Sequence, residues 1–336
     1  MQVTFLIATE RSGSNLITKI LDAHPNVCGP SPLHILRVFG MTFYQAGDIS
    51  HEKTWTDIIE DLNALLQSDF ARWKHVFTKT ELLQLAEPGD LSTLLRQVFF
   101  IEAQAHGKQQ VFIKEIELYK YHSFIQWVFP NAKFLYLIRD PRDVSLSWRK
   151  SGPHAGGLLS GSSTWIQDQK QSIPLLASWA ENGRAILVKY EDLVTQKEKE
   201  LLRICDFLNI EYTDRMLDFH KDDLTRQNAS LNPLWKNLSN TIMENNSNKF
   251  EQAMTRVEVA MVERICFAEM QYFGYQLKSE WSILEKITPQ HIQSFMQKEN
   301  TKYPSTMGQP PEHELIRRKR IQQQCLCPYL QHRSSD

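Results

Sequence analysis

No stretch of this chain approaches the ~20 consecutive apolar residues of a membrane-crossing helix. Nor does a charged segment, an apolar run and a small-residue cleavage site open it, so a soluble, cytoplasmic protein is expected. On that expectation the sequons at Asn228, Asn237 and Asn245 stay unmodified. Cysteine is scarce: Cys28, Cys205, Cys266, Cys325 and Cys327 are an odd number without a CxxC pair, which argues against a disulfide framework or a zinc site, and no metal is expected. Cys325-x-Cys327 is read as an accident of the tail. A basic excess is also missing. With a net charge of −1 the chain lacks the electrostatic footprint of a nucleic-acid binder. Its one basic run, Arg317-Arg318-Lys319-Arg320, reads as a solvated face, with docking to an anionic acceptor or membrane left open. Finally, G-x-x-x-x-G-K-[ST] is absent, so an ordinary magnesium-nucleotide loop is not matched.

What the chain does have is two anion cradles. Val3-Thr4-Phe5-Leu6-Ile7-Ala8 is a β-branched and aromatic run, followed by the polar turn Thr9-Glu10-Arg11-Ser12-Gly13-Ser14-Asn15 and then by Leu16, Ile17, Ile20 and Leu21 at helical spacing. Lys133-Phe134-Leu135-Tyr136-Leu137-Ile138 repeats the pattern, with Arg139 at the strand's carboxyl end, Pro141 suited to the first turn of a helix, and Ser147 about two turns on. Where a strand hands over to a helix, free N–H groups and the helix dipole favour phosphate. Two cradles imply a ligand with two phosphate-like ends. Strands near 3–8, 111–114, 133–138 and 185–189, separated by helical patterns at 52–106 and 161–182, predict an α/β fold, P-loop-like and three-layered, with a central parallel sheet flanked by helices.

In these segments the chain resembles the sulfotransferases that use 3′-phosphoadenosine 5′-phosphosulfate (PAPS). The resemblance implies that Arg11, Ser12, Gly13, Ser14 and Asn15 wrap the 5′-phosphosulfate and that Arg139 and Ser147 grip the 3′-phosphate. A third mark, Leu187-Val188-Lys189-Tyr190-Glu191-Asp192-Leu193, resembles the family strand whose tyrosine, here Tyr190, lies near the adenine. The three marks stand in family order from about residue 3 to the Phe273-Gly274-Tyr275 closing motif at about 276. The bacterial, polyketide-associated and tyrosylprotein-like branches are resembled more than the cytosolic phenol and steroid branch, whose R-K-G triplet is missing from the region after Asn228. That region, through Trp235, is where many members set a loop over the nucleotide.

The resemblance implies in-line sulfuryl transfer to a hydroxyl, or secondarily an amine, of a small molecule, lipid, glycan or peptide. Arg11 is assigned to the leaving oxygen, since arginine can clamp two oxygens and keeps its proton, and Lys114, ending a strand, resembles a second family lysine. The base is expected in Cys28-Gly29-Pro30-Ser31-Pro32-Leu33-His34, which resembles a family P-x-E-L-H pattern with Pro32 at the glutamate position. His34 is therefore the candidate base, with Glu115 and Glu117 in reserve. Because of Pro32, a PAPS-binding protein that has lost catalysis stays open, as does a small-molecule kinase. Residues 1–278 are read as the sulfotransferase domain. Residues 279–336 are read as a helical and tail extension without assigned role, containing a helix-like stretch at 280–297 and a Pro/Gly linker at 303–311. Between the second cradle and the following helix, Gly156-Gly157 and Gly161-Ser162-Ser163 are read as turns of a mobile loop over the acceptor.

Overall fold

A computed structural model describes residues 1–43, 46–68, 71–151, 154–231 and 237–304. The basic run at 317–320, Cys325, Cys327, most of the 303–311 linker and the 232–236 part of the expected nucleotide loop lie outside the described residues.

Strand β1 (Gln2–Ala8) leads into helix α1 (Ser14–Asp22) and the short strand β2 (Val27–Cys28). Helices α2 (Ile35–Thr42), α3 (Glu52–Leu66), α4 (Lys79–Gln84) and α5 (Leu91–Ala105) then precede β3 (Gln110–Lys114) and α6 (His122–Val128). Strand β4 (Lys133–Ile138) hands over to α7 (Pro141–Arg149) and the long α8 (Gly157–Glu181). The last strand, β5 (Ala185–Lys189), runs into α9 (Tyr190–Thr195), α10 (Lys197–Leu208) and α11 (Asp223–Leu231). Helices α12 (Phe250–Ala253), α13 (Arg256–Ile265), α14 (Phe267–Tyr272), α15 (Trp281–Leu284) and α16 (Pro289–Lys302) complete the described chain.

The five strands form one parallel sheet in the order β2-β3-β1-β4-β5. Successive side chains of a strand point to opposite faces, and here both faces are covered. Phe5, Ile7, Ile113, Phe134, Tyr136 and Ile138 face the layer that includes α5, α8 and α13. Leu6, Phe112, Leu135, Leu137 and Val188 face the layer of α1, α9 and α10. This is the expected three-layer α/β arrangement, and every strand the sequence pattern proposed is present. The added strand β2 is too short to leave an alternation.

The topology also fixes where a ligand can sit. The chain leaves β1 toward β2 and β3 on one side and later builds β4 and β5 on the other, so the strand order reverses at β1. A crevice opens at the carboxyl end of such a switch point. Leu6 pairs with Lys114 and Ala8 with Leu137, which brings Lys114, the first cradle and Arg139 side by side along one sheet edge.

One expectation is corrected. Gly161, Ser162 and Ser163 are not loop turns but lie inside α8. A Cβ on Gly161 would fall 2.8 Å from Cβ of Trp148 on α7, and the hydroxyls of Ser145 and Ser162 meet at 2.9 Å. Small residues here allow two helices to approach closely; they do not break one. The stretch at 280–297 is likewise two helices, α15 and α16, the second opened by Thr288 as cap and Pro289 in its first turn.

Candidate active site

The first cradle turns sharply between β1 and α1. Arg11 takes a left-handed conformation (φ 70°), uncommon for a residue with a side chain, and Gly13 follows at φ 92°. A Cβ on Gly13 would come within 2.4 Å of the Tyr190 ring, so glycine is required both by the turn and by the aromatic packed on it. A cavity of about 300 Å3 opens at the amino end of α1. Arg11, Gly13, Ser14, Asn15, Arg139, Ser147 and Tyr190 all line it. Ser12 is buried beside them, its hydroxyl without a partner among the described residues.

The two cradles are joined directly. Arg11 Nε donates to Ser147 Oγ at 3.2 Å, and Arg139 Nη1 donates to the Arg11 carbonyl at 3.0 Å. Arg139 Nη2 donates to the Asn246 carbonyl at 2.7 Å, and its guanidinium lies 4.3 Å from the Tyr190 ring centroid. Trp165, fully buried on α8, holds the Arg139 carbonyl at 3.0 Å.

Two cations of this cavity were missed by motif reading, Lys150 just past α7 and Lys249 just before α12. The segment carrying Lys249 is pinned by two contacts: Phe250 N donates to Asp143 Oδ1 at 3.0 Å, and Asn246 Nδ2 donates to the Tyr190 hydroxyl at 2.6 Å. Its Asn-Asn-Ser-Asn run has no periodicity that could have signalled this. Asn228, at the start of the expected nucleotide loop, instead sits in α11 and holds the backbone of Arg72. Asn237, Leu238, Thr241 and Met243 border the cavity.

At the other end of the crevice the half-buried Lys114 donates to Asn15 Oδ1 at 2.5 Å. Burial pushes its ammonium down to about 8, against the opposing pull of Glu10. His34 precedes α2 in a left-handed conformation (φ 58°), its Nδ1 3.2 Å from Glu115 Oε2. The other Glu115 oxygen accepts the Leu36 amide at 3.1 Å. Burial lowers the His34 pKa from its ordinary value, opposed by the bond to Glu115, which favours a neutral imidazole at neutral pH. Two separate candidates for one role thus form a single pair, with Glu115 coming from just past the end of β3. Glu117 accepts from Lys120 and lines a small cavity together with Glu115 and Asp168.

Asp168 was also missed, because an acid on an amphipathic helix is an ordinary surface choice. It is buried, accepts from the Tyr119 hydroxyl at 3.0 Å, and burial pushes its carboxyl up to about 6. With Gln169, which donates to Thr9 Oγ1 at 2.9 Å, it holds the threonine that enters the first cradle. Among the described residues Cys28, Glu102 and His106 bring potential metal ligands within 4.8 Å of one another. Glu102 already accepts from the Lys74 and His75 amides and contacts His106, while burial pushes the Cys28 thiol far up, so the group reads as a structural anchor. No described helix is long and apolar enough to cross a membrane.

The chain is similar to known proteins in sequence and in fold. Residues 4–214 match the sulfotransferase family. A Caenorhabditis briggsae relative, provisionally named a protein-tyrosine sulfotransferase, is 29% identical over 225 residues, 66% of this chain and 70% of the relative. The protein-tyrosine sulfotransferase of Drosophila melanogaster is 28% identical over 68% of this chain, which spans only 42% of it; for the Gallus gallus protein-tyrosine sulfotransferase 2 the figures are 27%, 67% and 55%. Among solved structures, the sulfotransferase domain of the Synechococcus PCC 7002 olefin synthase superposes with a TM-score of 0.55 at 18% identity, covering 82% of this chain and 96% of that domain. The sulfotransferase domain of the curacin biosynthetic pathway does so with 0.55 at 20%, covering 82% and 98%. With its two cradles joined at the switch point of a parallel sheet, the chain belongs to the sulfotransferase family, the class of enzymes that its motifs resemble.

Proposed function

We propose that this sulfotransferase moves the sulfuryl group of PAPS onto an acceptor hydroxyl by in-line displacement, with a peptide tyrosine as the first acceptor to try. The names of the relatives support that acceptor class. His34, held by Glu115 at Nδ1, takes the hydroxyl proton. The oxygen attacks sulfur, the bond from sulfur to the 5′-phosphate oxygen breaks, and the charge left on that oxygen meets Arg11 and Lys114. Ser12 to Asn15 cradle the 5′ end. Arg139 and Ser147 take the 3′ end, with Lys150 and Lys249 adding charge to the same cavity. Catalysis of this kind is positioning plus electrostatics, and no step calls for a metal.

The observation that carries the reading is the direct link between cradles, Arg11 on Ser147 and Arg139 on the Arg11 carbonyl, which suits one donor anionic at both ends. The test is a thermal-shift titration with 3′,5′-adenosine bisphosphate beside 5′-AMP and ATP with magnesium, followed by PAPS turnover on tyrosine peptides with and without a chelator. Stabilisation by the bisphosphate alone, about 2.7 kcal/mol at a hundred times Kd, and chelator-insensitive turnover are expected. Binding without turnover on any acceptor would mean a non-catalytic binder, and a response to ATP with magnesium alone would overturn the donor.

A further inference from the structure

Glu10 precedes Arg11 and, apart from the pull of its charge on Arg11 and Lys114, has no part in the chemistry above. Its carboxylate is held by His154, Nε2 to Oε2 at 2.8 Å, and the bond lowers the Glu10 pKa. The imidazole is fixed from its other sides: Ser151 Oγ lies 2.7 Å from Nδ1, and the Trp148 ring centroid is 4.1 Å away. Trp148 Nε1 in turn donates to the Ala155 carbonyl at 3.1 Å.

The backbone just after His154 is braced by the far end of the chain. Gly156 N donates to the Tyr303 carbonyl at 2.9 Å. Helix α8 has no capping side chain of its own, and Glu299 of α16 fills the role, accepting from Leu158 N at 2.5 Å and Leu159 N at 3.3 Å. A carboxylate at a helix amino end satisfies open N–H groups and opposes the dipole. The approach is close enough that a Cβ on Gly157, itself at φ 64°, would fall 2.6 Å from that carboxylate.

We infer that His154 is a positioning residue for Arg11, gripping Glu10 so that the left-handed Arg11 stays aimed into the donor cavity, and that α16 is the splint that holds His154 in place. A side-chain-bearing residue in that backbone region persists only where its surroundings over-determine it. Arg139 on the Arg11 carbonyl and Ser147 on the Arg11 side chain supply restraints on one side, and His154 on Glu10 supplies one on the other. Residues 289–303 thereby become part of the donor site without lining it. The inference rests on the donor reading above.

The experiment combines donor kinetics with backbone amide exchange. In His154→Ala, kcat/KM for PAPS should fall about tenfold, in line with the cost of slight misplacement, while the unliganded protein stays folded. His154→Gln, whose amide can still donate to Glu10, should recover most of the loss. Glu10→Ala should lose at least as much as His154→Ala, since it also removes the charge that supports the Lys114 ammonium, and the double variant should be no worse than Glu10→Ala alone. Amides of residues 9–15 should exchange faster in His154→Ala with or without ligand. Additive losses, or unchanged exchange at 9–15, would overturn the inference. Glu299→Gln, which weakens the splint and leaves His154 in place, should shift the same parameters in the same direction by less, and serves if His154→Ala does not fold. If the wild type ignores 3′,5′-adenosine bisphosphate, the donor reading is what has failed, and the exchange comparison alone still decides the clasp.

Discussion

Arg139 has protein partners on both terminal nitrogens and an aromatic face against it, so it is held in place before any ligand arrives. Arg139→Ala is expected to weaken 3′,5′-adenosine bisphosphate binding by about 2–4 kcal/mol, the range for a lost charge-assisted contact. Calorimetric titration checks this, with the melting temperature of the free protein separating lost affinity from lost fold. The pH profile follows from two perturbed groups. His34 works neutral and its pKa is lowered, so kcat/KM should rise with pH through a midpoint below the ordinary histidine value. Lys114 works charged and titrates at about 8, so activity should fall as pH rises past it. Lys114→Arg should remove the alkaline limb while keeping the cation, and a limb that persists would mean another group sets it. Arg11, Arg139 and Ser147 were legible because each lies inside a short local pattern. The bond from His34 to Glu115 was not, since it joins residues 81 positions apart, and neither was Lys249, which reaches the cavity from a run with no pattern at all.

The strand, turn and helix unit at the amino end depends on one missing side chain. Gly13→Ala puts a methyl group into the Tyr190 ring and asks alanine to adopt φ 92°. A cost of about 1–3 kcal/mol is expected from the backbone alone, together with loss of donor binding as Tyr190 is displaced. Denaturant unfolding and a bisphosphate titration measure the two effects separately. Gly161 is the corresponding point between α7 and α8: Gly161→Val should destabilise by about 1–3 kcal/mol through overpacking against Trp148. That contact also explains the misread loop. In sequence, Gly161-Ser162-Ser163 has the composition of a turn, and only the neighbouring helix shows that it is a crossing point. The strands were legible because burial on both faces leaves continuous apolar runs, whereas β2, with two residues, leaves none.

At the scale of the molecule the separate family marks are wired together. Glu191, next to Tyr190, accepts the Asp140 amide at 2.9 Å and the Tyr275 hydroxyl at 3.1 Å, so the second cradle, the end of β5 and the Phe273-Gly274-Tyr275 motif share one carboxylate. That is a physical reason for three distant patterns to occur in one chain, and it is visible only once the sheet has formed. Arg142 extends the network: its guanidinium meets Asp140 at 2.6 and 2.9 Å and Glu263 of α13 at 2.5 Å. Glu263, fully buried, also accepts the Lys278 and Ser279 amides at 2.8 and 2.9 Å, tying the start of the carboxyl-terminal segment to the second cradle. Removing one member of a buried pair leaves the other charge uncompensated, so Glu263→Ala should cost about 3–5 kcal/mol. Replacing the whole triad, Arg142→Met with Glu263→Met and Asp140→Asn, should recover part of that, because no buried charge is then left without a partner and asparagine still caps α7. Recovery should stop short of the wild type, since the 278 and 279 amides lose their acceptor whichever side chain replaces Glu263. Denaturant unfolding of the two variants beside the wild type measures this. Full recovery in the triple variant would mean that those amides find water, and that the segment leading to α15 and α16 is held by its packing and not by Glu263.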